Sequence, residues 1–486
     1  MNVLYRSAFG LGSDIRRGRL SSVRVLEFFL DRIERHNEAI NAVVALDVDR
    51  ALERAVAADR AAAAGEDWGP LHGVPMTIKD AWYTAGLVTV GGIPERREHV
   101  PARNAVAVQR LVDAGAIVFG KTNVPYMSAD LQSFNAVYGS SGNPWNHERT
   151  CGGSSGGAAA ALAAGLSPLE LGSDIGGSIR TPSHFNGIYG HKASYGLITL
   201  RGHLPPGDEV LSEPDLSCAG PLGTCVDDLE QALALLVGPA PDITAQPLPE
   251  LPTPRSRNPA QLRIAVWADD RFCPVEREVA AHIEAAAATL EDLGAHVDRS
   301  ARPEMDPQAN HENYTQLMLS VLGADMPDSV REMAREAVAA ADPDDMREPL
   351  LQMRGIALDH RDWLRQNERR QRARVAWERF FRDYDVLFCP CAHVPAFPHD
   401  HEPDMQARRL RVNGEQRPYT EILRWAGLTG NAGLPATAVP LGTTAAGLPV
   451  GMQIAGPWLG DRTTLAVARL LEAQHRPFVP PPGYQD

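Results

Sequence analysis

Two stretches carry serine among glycines with no histidine beside them: CGGSSGG at residues 151–157 and GSDIGGSIR at 172–180. A serine hydroxyl is a weak nucleophile until a base takes its proton. A third stretch, GVPMTIKD at 73–80, offers one. Lys79 sits there among apolar residues. Burial removes the solvation of an ammonium and brings its pKa from about 10.4 toward neutrality. The neutral amine that results can accept a proton. The SxxK spacing of penicillin-binding enzymes is absent around Lys79, so its serine partner must come from elsewhere in the chain.

A different chemistry has to be weighed beside this one. GGSSG at 152–156 matches GxSxG, the nucleophile elbow of another hydrolase class. An elbow needs a strand directly before it and a helix after it. AAAALAAG at 158–165 reads as the helix, but NPWNHERTC at 143–151 is too polar and proline-broken to read as the strand. No HGGG-type oxyanion segment accompanies it.

The elements that must position these residues alternate in type. SSVRVLEFFLDRIERH at 21–36 places Val25, Phe29 and Ile33 on one helical face. VPMTIK reads as a short strand. AVAVQRLVDAGAIVFGKTN reads as a helix, a glycine stop and a buried strand, AIVFG. The region 139–157, rich in Gly, Ser, Asn and Pro, predicts loop. LRIAVW at 262–267 is a strand. It is followed by a helix over 274–294 that Pro274 opens and Gly294 closes. Residues 310–382 predict helix, rich in charge and methionine. DVLFCP, LPATAVPL and PVGMQIAG are further strands. Such alternation predicts an α/β class. The proline-rich 238–260 reads as a surface crossing or linker.

Read together, GVPMTIKD and CGGSSGGAAAALAAGLSPLELGSDIGGSIRTPSHFNGIYGHK resemble the signature of the amidase signature family of serine hydrolases. The likeness is densest over about 71–200. It resumes at YTEILRWAGLTGNAGLPATAVPLG and LPVGMQIAGPWLGDR. The resemblance implies one α/β domain over 1–486, with a large mixed sheet flanked by helices on both faces. In it, a divergent helical region at about 300–384 lies over the pocket and a C-terminal core segment spans about 385–475. It implies a Ser–Ser–Lys triad of Lys79 as base, Ser154 as bridging serine after a cis peptide, and Ser178 as nucleophile. The backbone N–H groups of Ile175, Gly176, Gly177 and Ser178 would form the oxyanion hole. Met127, Ser128 and Ala129 match a segment that lines the substrate channel in a fatty acid amide hydrolase of the family, so with Ser154 they are the expected substrate contacts. No cofactor and no metal is required.

The implied activity is hydrolysis of a carboxylic amide, with anilides, esters or carbamates as further substrates. Two other functions compete. One is the glutaminase subunit of a tRNA-dependent amidotransferase, from which HKASYGLITLRGHLPPG departs. The other is a non-catalytic interaction protein of the same fold, against which the filled triad positions argue. Asp174 and Arg180 are expected to hold the nucleophile loop, Ser155 to cap a helix or donate from behind the site, and His184 and His191 to be structural. Met318, Met326, Met333, Met346 and Met353 suit an adaptable apolar wall.

Composition narrows the partners. Of 486 residues, 47 are Lys or Arg and 61 are Asp or Glu, a net charge of −14. That excludes a basic nucleic-acid footprint. The N-terminus has no signal-peptide pattern and no apolar run is long enough to span a bilayer, so a cytoplasmic location is expected, without a membrane. The partner is a small-molecule amide; relatives often form homodimers. The six cysteines lack CxxC spacing and read as reduced thiols. The CxC of Cys389 and Cys391 near His393 is the one arrangement that invites a metal.

Overall fold

The apolar runs separated by amphipathic helices assemble into a mixed eight-stranded sheet. The computed structural model describes residues 3–205, 210–242 and 250–486. Across the sheet the strands run His296–Asp298, Arg263–Val266, Val386–Pro390, Pro449–Ala455, Ala436–Thr443, Tyr189–Lys192, Cys218–Gly223 and Leu169–Asp174. The first three are parallel and every later pairing is antiparallel. Five of the eight strands are buried along their whole length. This is why they read as apolar runs and not as alternations. Both faces are covered. Leu222 packs with Ala159, Leu162 and Ile179. Ala219, three residues back and so on the opposite face, packs in the main core with Leu229 and Leu233.

A second, three-stranded sheet carries the lysine. Pro75–Lys79 runs parallel to Ile117–Thr122, which pairs on its other edge with Val43–Leu46. The predicted helix after Ser21 spans Ser22–Ile40; the Ser21 hydroxyl accepts from Arg24 N, and Val25, Phe29 and Ile33 are buried as their spacing predicts. The helix expected from Pro274 begins at Arg277, ends at Asp292 and is closed by Gly294 with φ +96°. The proline-rich stretch is pinned where Arg110 donates to the carbonyls of Leu236, Gly238 and Pro239. Its middle, 243–249, lies outside the described residues.

Two expectations need correction. The region 139–157 is not all loop: Gly139–Ser140 pairs with Phe134–Asn135, and Gly142–Asn143 pairs with Asn146–Thr150. A strand therefore does precede GGSSG. It belongs to a two-stranded ribbon outside the main sheet, and Asn146, His147 and Glu148 are exposed, so no apolar pattern marks it. The stretch 310–382 is not one adaptable wall either. It folds into four helices, Pro307–Leu322, Asp328–Ala340, Glu348–Ile356 and His360–Asp383. Of its five methionines only Met318 is fully buried, whereas Met333 is 57% exposed.

Among the described residues no helix is long and apolar enough to cross a membrane, and no three His, Cys, Asp or Glu side chains come together as a metal site. The cysteines form no disulfide.

Glycine in the sheet interior is set by close approach. A Cβ on Gly220 would lie 1.7 Å from the carbonyl oxygen of His191, a backbone atom that cannot swing away. We expect Gly220→Ala to lower unfolding stability by about 3 kcal/mol. Urea denaturation measures this, and a change below about 0.5 kcal/mol would contradict the packing.

Candidate active site

Lys79 ends its strand with its side chain wholly buried. Its Nζ lies 2.7 Å from Ser154 Oγ and 2.9 Å from Ser173 Oγ, within hydrogen-bond reach of both hydroxyls. Burial pushes the amine down to about 7; the carboxylates of Asp174 and Glu170 pull the other way. An amine near neutrality and hydrogen-bonded to a hydroxyl can take that hydroxyl's proton.

Ser154 follows a cis Gly153–Ser154 peptide. A side chain on Gly153 would meet the backbone at Asp130 O and Gln132 N, each 2.7 Å from its Cβ. Ser155 stands at the N-cap position of the helix Gly156–Ala163, but its hydroxyl makes no capping bond and donates instead to Ser173 O. The Ser155 N–H donates to Ser178 O at 3.1 Å, which ties the two glycine–serine stretches together. No histidine nitrogen bonds Ser154 among the described residues, so the elbow arrangement has no base.

Ser178 lies in the turn between the strand Leu169–Asp174 and the helix Arg180–Asn186. Asp174 and Arg180 brace that turn from both ends. Asp174 Oδ1 accepts from Gly177 N and Oδ2 from Ile179 N. Arg180 donates to Asp174 through Nε and Nη2, and through Nη1 to Ala426 O, Thr429 Oγ1 and Gln453 Oε1. Burial alone would raise the Asp174 pKa, but the Arg180 guanidinium holds the carboxyl well below the usual range. Tyr314, on the overlying helix Pro307–Leu322, donates to Ile175 O at 2.6 Å.

The expected oxyanion group divides here. The Gly177 N–H is committed to Asp174. The N–H groups of Ile175, Gly176 and Ser178 have no acceptor among the described residues. The Ser178 hydroxyl likewise has no partner among them, and no hydrogen bond joins it to Ser154. Both serines line one cavity of about 400 Å³ with Met127 and Ser128. A smaller lobe of about 130 Å³ is lined by Ala129, Gly176, Met318 and Leu423, and shares Ser128, Ile175 and Ser178 with the first. Ser178 therefore stands where two lobes meet. Ser128 lines both lobes, and its hydroxyl is buried without a hydrogen-bond partner among the described residues. Among the described residues no Lys or Arg lines either lobe, while Asp325 and Asp215 line the first. Asp215 is neutralised by Arg370 at 2.7 Å. A larger cavity, about 720 Å³ between Trp377 and Trp458, holds none of these residues.

Several contributors carry no local signal. Ser173 and His203 bond each other beside Lys79, with His203 Nε2 2.8 Å from Ser173 Oγ, and both line the larger lobe. Tyr314 comes from the region whose sequence is least familiar. Ser173 alone has a local mark, its place beside Asp174 inside GSDIGGSIR. His184 and His191 are structural: His184 bonds Val394 O and Gly451 N, and His191 bonds Thr437 and Asp461. His393 is buried with both ring nitrogens unpartnered, and no metal-binding trio forms around it among the described residues.

Removing Arg180 would leave the Asp174 charge buried and unpaired. Arg180→Met is expected to cost about 3–5 kcal/mol of unfolding free energy, read from urea denaturation. A loss under about 1 kcal/mol would show that the pair does not brace the turn.

Comparison with known proteins places this geometry. The sequence model of the Amidase family matches residues 24–465. The chain is 32% identical to an indoleacetamide hydrolase of Bradyrhizobium diazoefficiens over 92% of this chain and 82% of that one. It is 30% identical to a glutamyl-tRNA(Gln) amidotransferase subunit of Synechococcus sp. over 96% of each. The fold superposes on that of a bacterial aryl acylamidase with a TM-score of 0.79 at 25% identity, covering 98% of this chain and 97% of the other. The chain belongs to the amidase signature family of amide hydrolases.

Proposed function

We propose that the protein hydrolyses a neutral carboxylic amide to acid and amine through an acyl-enzyme on Ser178. The observation that carries this is the buried Lys79 amine held 2.7 Å from Ser154 Oγ. Lys79 takes the proton of Ser154 as Ser154 takes that of Ser178; substrate binding closes the Ser154–Ser178 contact. Ser178 Oγ adds to the amide carbon, and the resulting oxyanion is met by the N–H groups of Ile175, Gly176 and Ser178. One such donor is worth roughly 3 kcal/mol in a transition state. The C–N bond then breaks and the relay returns the proton to the departing nitrogen. Water repeats the path: it adds to the ester, gives its proton to the relay and frees Ser178 and the carboxylic acid.

The cavity favours this over glutamine hydrolysis for a partner chain. Glutamine presents an α-carboxylate, and a buried anion needs a cation or several donors. Neither lobe has a Lys or Arg among its described lining residues, and Asp325 adds a negative charge. The apolar lobe beside Met318 and Leu423 suits a hydrocarbon or aryl group. Of the relatives' substrates, arylacetic amides and anilides fit this lining better than an amino acid.

Intact mass after incubation with phenylmethylsulfonyl fluoride tests the nucleophile. One adduct is expected on the wild type and none on Ser178→Ala; equal labelling of both would overturn the assignment. Steady-state rates then test the substrate class, with arylacetamides and anilides expected to be cleaved and glutamine not. Faster turnover of glutamine than of any arylacetamide would favour the amidotransferase reading.

The pH profile tests the base. Lys79 works only unprotonated, and burial has lowered its pKa to about 7. Activity should therefore rise about tenfold per pH unit at acid pH and level off above about 7. A profile that falls as pH rises through 7 would exclude Lys79 as base.

A further inference from the structure

We propose that His203 positions the base: acting through Ser173, it keeps the lone pair of Lys79 pointed at Ser154. The inference rests on Lys79 being the base for Ser154.

Proton counting along one buried chain of contacts leads to it. His203 Nδ1 is 3.1 Å from Pro205 O, and a carbonyl oxygen only accepts. The ring proton therefore sits on Nδ1. A neutral imidazole has a single N–H, so Nε2 is a bare acceptor. Burial keeps the ring neutral, pushing its pKa down to about 3, with the Lys79 charge acting the same way. Ser173 Oγ, 2.8 Å from Nε2, must donate its one proton there. Its oxygen can then only accept from Lys79 Nζ, 2.9 Å away.

A neutral amine has two protons and one lone pair. One proton is given to Ser173, so the lone pair is left for the Ser154 hydroxyl at 2.7 Å. Without an acceptor at His203, the Ser173 hydroxyl can rotate and donate into that lone pair. The same heavy atoms would then hold an amine unable to take a proton. His203 removes this arrangement. It also serves both charge states: once Lys79 is an ammonium it still donates to Ser173, so nothing behind the base reorients during turnover. The ring is itself fixed, edge-on to Trp82 with centroids 4.7 Å apart and planes at 84°. His203 lines the larger lobe but hydrogen-bonds neither Ser154 nor Ser178; it reaches the base only through Ser173, and that is the positioning role proposed.

The test is the second-order rate at which phenylmethylsulfonyl fluoride sulfonylates Ser178, followed by intact mass. In that step the Ser178 O–S bond forms and fluoride leaves with the serine proton. The full chain is compared with His203→Ala, His203→Gln, Ser173→Ala, the Ser173→Ala/His203→Ala double variant and Lys79→Ala. His203→Ala should slow labelling by roughly ten- to a hundredfold. His203→Gln, whose carboxamide oxygen can accept from Ser173, should recover most of that rate. In the Ser173→Ala background, His203→Ala should change the rate by less than about twofold, because the histidine then has nothing to act through.

A full penalty for His203→Ala in that background, or no recovery with Gln, overturns the proposal. If Lys79→Ala labels as fast as wild type, the base assignment fails. If Lys79→Ala is inert and His203→Ala is harmless, the positioning role alone fails. Nitrogen-15 NMR of the folded wild type, with the His203 signals assigned by their loss in His203→Gln, gives a measurement independent of variant folding. A protonated Nδ1 and bare Nε2 at neutral pH are expected, and the Nε2–H tautomer overturns the proposal.

Discussion

Burying an amine completely is the constraint around which the rest is built. An ammonium transferred from water into an apolar interior loses its hydration, and the group responds by releasing its proton. In the proposed mechanism Lys79 gains its chemistry from that loss. The effect needs complete burial, and two sheets provide it. The lysine closes a strand of the small sheet, and the end strand of the large sheet, Leu169–Asp174, supplies Ser173 against it. Neutrality alone is insufficient, because a free amine turns. The hydroxyls of Ser154 and Ser173 fix it from two sides, one toward the cavity and one toward His203.

The second requirement of the proposed mechanism is a nucleophile on a braced turn. Arg180 uses Nε, Nη1 and Nη2 on partners from three separate parts of the chain. Such an ion pair gives little net stability, since desolvation offsets the attraction. Its effect is geometric: it ties the end of a strand to the start of a helix with Ser178 between them. It also takes the Gly177 N–H out of the expected oxyanion set and leaves the other three backbone donors with no partner among the described residues. Tyr314 draws the overlying helix onto the same turn. The region that roofs the pocket therefore also supports the loop beneath it.

The cavity lining follows from these supports. Ser178 stands at the junction of two lobes because its turn runs between the Met127–Ser128 segment and the helix bearing Met318. That helix is pressed close: Tyr314 lies so near Gly427 that a Cβ there would come within 2.4 Å of its ring. Without a Lys or Arg among its described lining residues, the cavity disfavours an anionic group by the cost of burying an unpaired negative charge.

The α/β class, the amphipathic faces of the helices and the candidate reactive residues were legible in the amino-acid order. Strand and helix periodicities are local, so the buried runs and the face of Val25, Phe29 and Ile33 could be read without coordinates. Lys79, Ser154 and Ser178 stand in stretches whose composition is itself unusual. The ribbon strand Asn146–Thr150 escaped because backbone pairing alone defines it, with polar side chains in solvent. Which groups meet at the candidate site was set by the tertiary structure. It joined Lys79 to Ser173, 94 residues away, and Ser173 to His203, and it brought Tyr314 over Ile175 from 139 residues away. It also split the expected oxyanion donors, committing Gly177 to Asp174. These are hydrogen bonds between parts of the chain with no shared periodicity. Proton direction, lone-pair orientation and pocket charge depend on which side chains meet, and folding alone sets that.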